Sequence, residues 1–230
     1  MKSIIFDSGP LITLSLNNLL WLLKPLKEKY KGEFYITKSV KKEIIDKPLE
    51  SKKFKFEAIQ ILKLVEEGTL KIIEDKKIKI KADYLFSEIN SFFMAHNTQI
   101  KVVHYAEIET LSAGLVLNSD AVVIDEFIMR NIVENPKLVH ERLENKLHMI
   151  VSANNEKIKV IKEKININIL RTFELVIAAY EMNLFKEYYL KIENSKKQLL
   201  EALLWGIKLN GCSISEEDIR EAMKIEKVEV

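Results

Sequence analysis

One cysteine in 230 residues, Cys212, excludes an internal disulfide framework and any cysteine-based zinc site. The four histidines, His96, His104, His140 and His148, are too scattered to suggest a catalytic triad or a histidine ligand set. Glycine and proline are scarce, at six and four residues. No linker, low-complexity run or internal repeat stands out, so one domain is expected over residues 1–230. No apolar run reaches the roughly 20 residues that span a bilayer. The longest, Leu11 to Leu23, is interrupted by Thr13, Ser15, Asn17 and Asn18. The start lacks the basic, apolar and small-residue succession of a signal peptide. A cytoplasmic protein without membrane association is the simple expectation. Neither charge dominates: 36 Lys+Arg against 34 Asp+Glu leave a net +2, which argues against a molecule that is basic all over. Lysines still crowd two segments, Lys38 to Lys55 and Lys76 to Lys81. Such clusters can hold a phosphate backbone, or can simply be solvated faces.

What is present begins with the first eleven residues. Ile4, Ile5 and Phe6 read as a short buried strand; Asp7 ends it and Ser8-Gly9-Pro10 break it. A carboxylate at the carboxyl end of a buried first strand lies where open α/β sheets gather their sites. A turn residue or helix cap would look the same. The composition, 47% hydrophobic, supports a full core.

Downstream, Ile12, Leu16, Leu19, Leu20 and Leu23 recur at helical spacing, with Pro25 expected to end or kink the helix. Phe34–Ile36 reads as a strand, and Thr37 or Ser39 as the cap of a helix carrying Val40, Glu43 and Ile44. Phe54–Glu67 reads as a helix with Ile59, Leu62 and Val65 inward and Gly68 as its stop, before a strand at Leu70–Ile73. Lys77–Lys81 alternates Lys with Ile and reads as an edge strand, with helix over Asp83–Ala95. His104–Leu117 reads as helix and Ala121–Ile124 as a strand ending in Asp125-Glu126. The charged stretch from Arg130 to Glu163 is expected to be mostly helical. Lys164–Ile169 reads as a strand, followed by helices at Arg171–Met182 and Lys196–Leu209, with a capping box at Ser215 to Asp218. This alternation predicts an α/β fold: a parallel sheet with helices on both faces.

Four acids then fall at comparable places: Asp7, Glu43, Glu107 or Glu109, and Asp125 with Glu126 beside it. In a parallel sheet the carboxyl ends of the strands converge on one rim. Carboxylates gathered there repel one another unless a divalent cation sits between them. Oxygen ligands without His or Cys argue for Mg²⁺ or Mn²⁺ rather than zinc. Such a site suits phosphodiester hydrolysis. Glu107 and Glu109 stand about 200° apart around a helix, so only one can face the rim. Glu109 is favoured, because Ala113 and Val116 continue its side toward the sheet.

These residues resemble the PIN-domain family of metal-dependent ribonucleases. Ile4 to Ile12 is similar to its opening strand with the first acid, and Thr37 to Ile44 to its helix with one Glu. Ala106-Glu-Ile-Glu-Thr-Leu111 is similar to a Glu-x-Glu variant of its third motif, and Val122 to Arg130 to its strand with paired acids and an Arg. Ile169 to Leu175 is similar to the family's last strand and following helix, and Asn210 to Ser215 to a turn before its terminal helix. The chain departs in having His104-Tyr105-Ala106 where a Gly is usual, Glu126 where Asp is commoner, and an extra stretch at about 131–163. The resemblance implies a three-layer α/β/α sandwich around a mainly parallel sheet, with that stretch as a mostly helical insertion. It implies cleavage of single-stranded RNA through Mg²⁺ or Mn²⁺ held by Asp7, Glu43, Glu109 and Asp125. Asp7 and Asp125 would hold the principal ion. Ser8 would hydrogen-bond a ligand acid, and Arg171 or Thr172 would contact a phosphate, though Arg171 could equally be a structural partner of an acid. Homodimers, and a toxin role beside an antitoxin or other protein partner, are further implications. The alternatives are a catalytically inactive RNA- or protein-binding module and a structure-specific DNA nuclease.

Overall fold

Strands and helices alternate along the chain, as the apolar pattern requires. In the computed structural model, which describes residues 2–226, β1 (Ser3–Phe6) runs into α1 (Ser8–Leu16). Asn17 and Asn18 end α1, Asn18 at φ 55°, a conformation Asn tolerates better than most residues. A 3-10 turn (Leu20–Leu22) and α2 (Leu23–Tyr30) follow. Pro25 therefore does not end a helix. It lies in the first turn of a new one, where its missing N–H would have had no partner anyway. β2 (Glu33–Thr37) leads into α3 (Lys38–Lys41), a π-helical turn over Lys42–Asp46, and α4 (Lys47–Glu50).

α5 (Lys55–Glu66) precedes β3 (Lys71–Ile73). Its fully buried face is Ala58, Ile61 and Leu64, with Leu62 and Val65 only partly covered and Ile59 49% exposed. The expected edge strand at Lys77–Lys81 belongs instead to α6 (Lys76–Ile89), with Asp75 accepting from the Lys77 N–H at its start. Ile78, Ala82, Leu85 and Ile89 recur at helical spacing and are buried, whereas Ile80 stands 70% exposed. The longer period wins because it brings four apolar residues to one face, and the local alternation brings two.

β4 (Phe93–Ala95) and β5 (Thr98–Gln99) follow, then α7 (Tyr105–Leu117), β6 (Ala121–Val123) and α8 (Phe127–Glu134). α9 (Pro136–Leu147), β7 (Ser152–Ala153) and α10 (Asn155–Lys164) make up the charged stretch; Lys164 closes that helix, and β8 spans only Asn168–Leu170. The chain ends in α11 (Thr172–Glu181), α12 (Ser195–Leu209) and α13 (Glu216–Ile225).

Five strands form one sheet in the order β3-β2-β1-β6-β8, every pair parallel. Successive side chains on a strand point to opposite faces, and β1 divides accordingly. Ile4 and Phe6 join α1, α2, α5 and α11 to α13 in one apolar cluster; Ile5 joins α6 to α10 in the other. The result is the expected helix–sheet–helix sandwich. Gly114 sets one of its distances: a Cβ there would come within 2.6 Å of Val122 Cγ1, so glycine lets α7 lie close on β6. β4, β5 and β7 form a separate antiparallel sheet in the order β5-β4-β7.

Candidate active site

From β1 the chain moves outward on one side to β2 and β3, and later returns on the other side as β6 and β8. The order therefore reverses between β1 and β6, and open α/β sheets place ligands in the crevice at such a point. Asp7 and Asp125 flank that crevice, each following its strand at the carboxyl end. Both are buried, at 3% and 2% exposure. The Asp7 N–H donates to the Val123 carbonyl, continuing the sheet, so its side chain is aimed by the ladder itself. Gly9 packs between the two: a Cβ on it would lie 3.8 Å from Asp125 Cβ and 4.0 Å from Asp7 Oδ2.

Asp7 Oδ1 is buried without a hydrogen-bond partner. Burial pushes the Asp7 carboxyl up to about 7, the backbone N–H groups of Ser8 and Gly9 opposing the shift and the charges of Glu43 and Asp125 adding to it. Ser8 is buried beside it, and the Asp7 side chain makes no capping hydrogen bond to α1. Asp125 is held on both oxygens: the Thr172 N–H donates to Oδ1 and the Thr172 hydroxyl to Oδ2, each at 2.7 Å. The Ser213 N–H donates to the Asp125 carbonyl at 3.1 Å. Gly211, at φ 125°, makes the turn that brings Cys212 and Ser213 back to this point. Burial, with Asp125 beside it, pushes the Cys212 thiol up, so it is not a reactive thiolate. Arg171 is held by other acids, with Nε 2.9 Å from Glu174 and Nη1 3.6 Å from Asp218. It is a structural ion partner here, and Thr172 a clamp on Asp125; neither presents the free phosphate donor that the family resemblance suggests.

Glu107 is the acid of α7 that meets the cluster. Burial pushes its carboxyl up to about 8, and the charges of Asp7, Glu126 and Glu43 push in the same direction. One of its oxygens accepts from the His104 N–H at 2.8 Å. Glu109, favoured on sequence, faces elsewhere: its Oε2 accepts from the Ser39 N–H at 2.9 Å. It thereby caps the start of α3, alongside the Thr37 hydroxyl that accepts from Val40. The reason is the neighbour. α3 presents free N–H groups to that side of α7, and a carboxylate answers them better than water does. Glu109 holds the helix that leads to Glu43.

Glu43 is exposed and lies on the π-helical turn, an irregularity often found at functional sites. Beside it runs an apolar groove of about 230 Å³, walled by Ile12, Leu16, Phe54 and Ile61 and bordered by Glu57. Glu126 is exposed and caps α8, accepting from the Met129 N–H at 2.7 Å.

The donor chemistry fits a hard divalent cation: carboxylate oxygens only, one of them buried and unpartnered, two carboxyls retaining protons near neutrality. Among the described residues, however, no three acid, His or Cys side chains are already arranged to hold one ion together. No helix among them is long and apolar enough to cross a membrane.

Among known proteins, a family model described as a PIN domain matches residues 3–166. No curated protein and no solved structure matches the chain. The family match includes the charged stretch of α9 and α10, and it ends before Thr172, Cys212 and Ser213.

Proposed function

We infer that this chain, which belongs to the PIN-domain family of nuclease-like fold, is a metal-dependent endoribonuclease that hydrolyses phosphodiester bonds in single-stranded RNA. The observation that carries the reading is the buried, unpartnered Asp7 oxygen at the β1–β6 crevice, with Asp125 buried across Gly9 from it; the raised Asp7 and Glu107 carboxyls agree. Buried acids in that condition gain most from a cation.

Asp7 and Asp125 would hold the ion, with Glu43 and Glu107 completing or orienting its shell. When bound, Mg²⁺ or Mn²⁺ lowers the pKa of a water and offsets charge growing on the phosphate. Thr172 fixes Asp125 so that its carboxylate does not rotate away from the crevice. Glu109 fixes α3 and, through it, the approach of Glu43. Glu126 adds negative charge at the rim while capping α8.

The test is incubation of labelled single-stranded RNA, and of DNA of matched sequence, with Mn²⁺, Mg²⁺ or a chelator. RNA cleavage that needs the ion and spares DNA is the expected result. Cleavage in the chelator would overturn it, and preference for DNA would mark a structure-specific DNA nuclease. Thr172→Val should weaken Mn²⁺ binding by roughly tenfold or more, as loss of a ligand-orienting bond does, with Thr172→Ser close to wild type; calorimetry reads both. Equal affinity in all three proteins would remove Thr172 from the site.

A second reading has its own observations. The acids are not already gathered for one ion, and the groove beside Glu43 leaves Ile12, Leu16 and Phe54 about 40% exposed. A catalytically silent module binding RNA or a protein partner, an antitoxin among them, would use that groove. It expects partner binding without metal, and no cleavage under any condition above.

A further inference from the structure

A rim of carboxylates repels the polyanion it is read as cutting, so the strand needs positive charge elsewhere. Net charge is only +2, and it must therefore be found locally. One groove outside the rim supplies it. Between α9 and α10 lies an open cleft of about 300 Å³, lined by Lys137, Lys159, Lys162 and His140 and by no carboxylate. Its floor is apolar, with Phe93 stacked on the His140 ring at 5.9 Å.

The cations are placed by their helices. Lys137 lies in the first turn of α9, where unpaired backbone N–H groups add partial positive charge. Lys159 and Lys162 are three apart on α10 and share a face. Lys162 donates to the Glu134 carbonyl at 2.8 Å, which anchors α10 to the end of α8. Lys137 and Lys159 are exposed and form no ion pair among the described residues. Glu134 pairs with Arg130, and Glu144 with the Val151 N–H and His140, while Glu141, Glu156 and Glu163, within a turn of the two lysines on the same helices, do not line the cleft. His140 Nε2 itself donates to the Val151 carbonyl. α8 joins this cleft to the acidic rim, since Glu126 caps its first turn and Glu134 ends it. Eight residues of helix separate the two by about 12 Å.

We propose that the α9–α10 cleft binds backbone phosphates of the single-stranded RNA whose scissile bond lies at the β1–β6 crevice. The proposal rests on the reading of the chain as acting on RNA, but needs no catalysis. An open cleft with lysines along its sides and no carboxylate in its lining suits a continuous backbone, and neither Lys137 nor Lys159 is held in an ion pair among the described residues.

Binding of a short labelled RNA, followed by anisotropy in a chelator across a salt series, tests it for wild type, K137A/K159A and K137R/K159R. The Ala pair should bind several-fold more weakly. Its salt slope should be shallower by about 1.4, or 0.7 for each single-strand phosphate no longer neutralised. The Arg pair should retain the wild-type slope. K24A/K29A, exposed lysines on α2 outside both lysine clusters, is the control and should leave the slope unchanged. Unchanged affinity and slope in the Ala pair would overturn the proposal. So would saturable binding of inorganic phosphate in the cleft with RNA affinity indifferent to both lysines. Because the readout is metal-free binding, RNA held by the cleft yet never cut would sink the ribonuclease reading and leave this one standing.

Discussion

Asp7→Asn is expected to abolish metal-dependent RNA cleavage while leaving the protein folded. Asp7 is the buried acid at the crevice whose Oδ1 has no partner, and an amide cannot replace a carboxylate as a ligand of a hard cation. A catalytic metal contributes several kcal/mol, so loss of its main ligand should cost roughly a thousandfold or more in rate. The backbone should tolerate the change, since Asp7 at the N-cap position of α1 makes no side-chain cap hydrogen bond that would be lost and Asn nearly matches its shape. Stability supplies a second readout with a definite sign. The Asp7 carboxyl is raised by burial from 3.8 to about 7, so the fold binds its proton more tightly than the unfolded chain does. Its contribution is fully present below about pH 4, is lost as pH rises from there through 7, and is constant above. The loss is on the order of 4 kcal/mol. In Asp7→Asn the Asp7 part of that slope should be gone, leaving the smaller, same-signed contribution of the raised Glu107 carboxyl, and the variant should be at least as stable as wild type at pH 8. Urea midpoints at pH 5 and pH 8 decide this. Full cleavage by the variant would end the ribonuclease assignment.

The second large effect separates two glutamates that the sequence pattern ranks the other way. Glu107→Gln should lower Mn²⁺ affinity and cleavage by at least tenfold, because Glu107 shares its field with Asp7, Glu43 and Glu126. Glu109→Gln should change neither by more than a few-fold. The amide oxygen can still accept from the Ser39 N–H, which is what Glu109 does in this fold. Calorimetry and a cleavage time course on the two variants read the difference directly. Loss in Glu109→Gln with Glu107→Gln intact would restore the sequence-based assignment.

Much of this architecture is legible in the residues themselves. The strand at Ile4 to Phe6, the Thr37 cap and the Gly68 stop announce themselves locally, because each depends on a few adjacent residues. The capping box at Ser215 is equally local. Sequence and structure part where two local signals compete. Lys77–Lys81 alternates like a strand, but the helical repeat from Ile78 to Ile89 extends well beyond those five residues and prevails. Pro25 reads as a stop only if the helix before it is continuous, and Asn18 has already ended that helix. The inward face of α5 differs from the one its pattern suggests, because an apolar residue can lie toward a groove as readily as toward the core. Phe54 shows the same.

Taken alone, the sequence determined the α/β alternation, the acids that follow strands at Asp7 and Asp125, and the lack of any His or Cys cluster. Those properties are carried by residue type and by periods of two and 3.6, which are local. Only the tertiary structure decided that Glu107 meets the acids and Glu109 caps α3. It also decided that Thr172 grips Asp125 from 47 residues away, and that Lys137 and Lys159 border one cleft. Each of these depends on which element a side chain faces, and that is set by sheet order and helix packing, whose partners lie far apart along the chain.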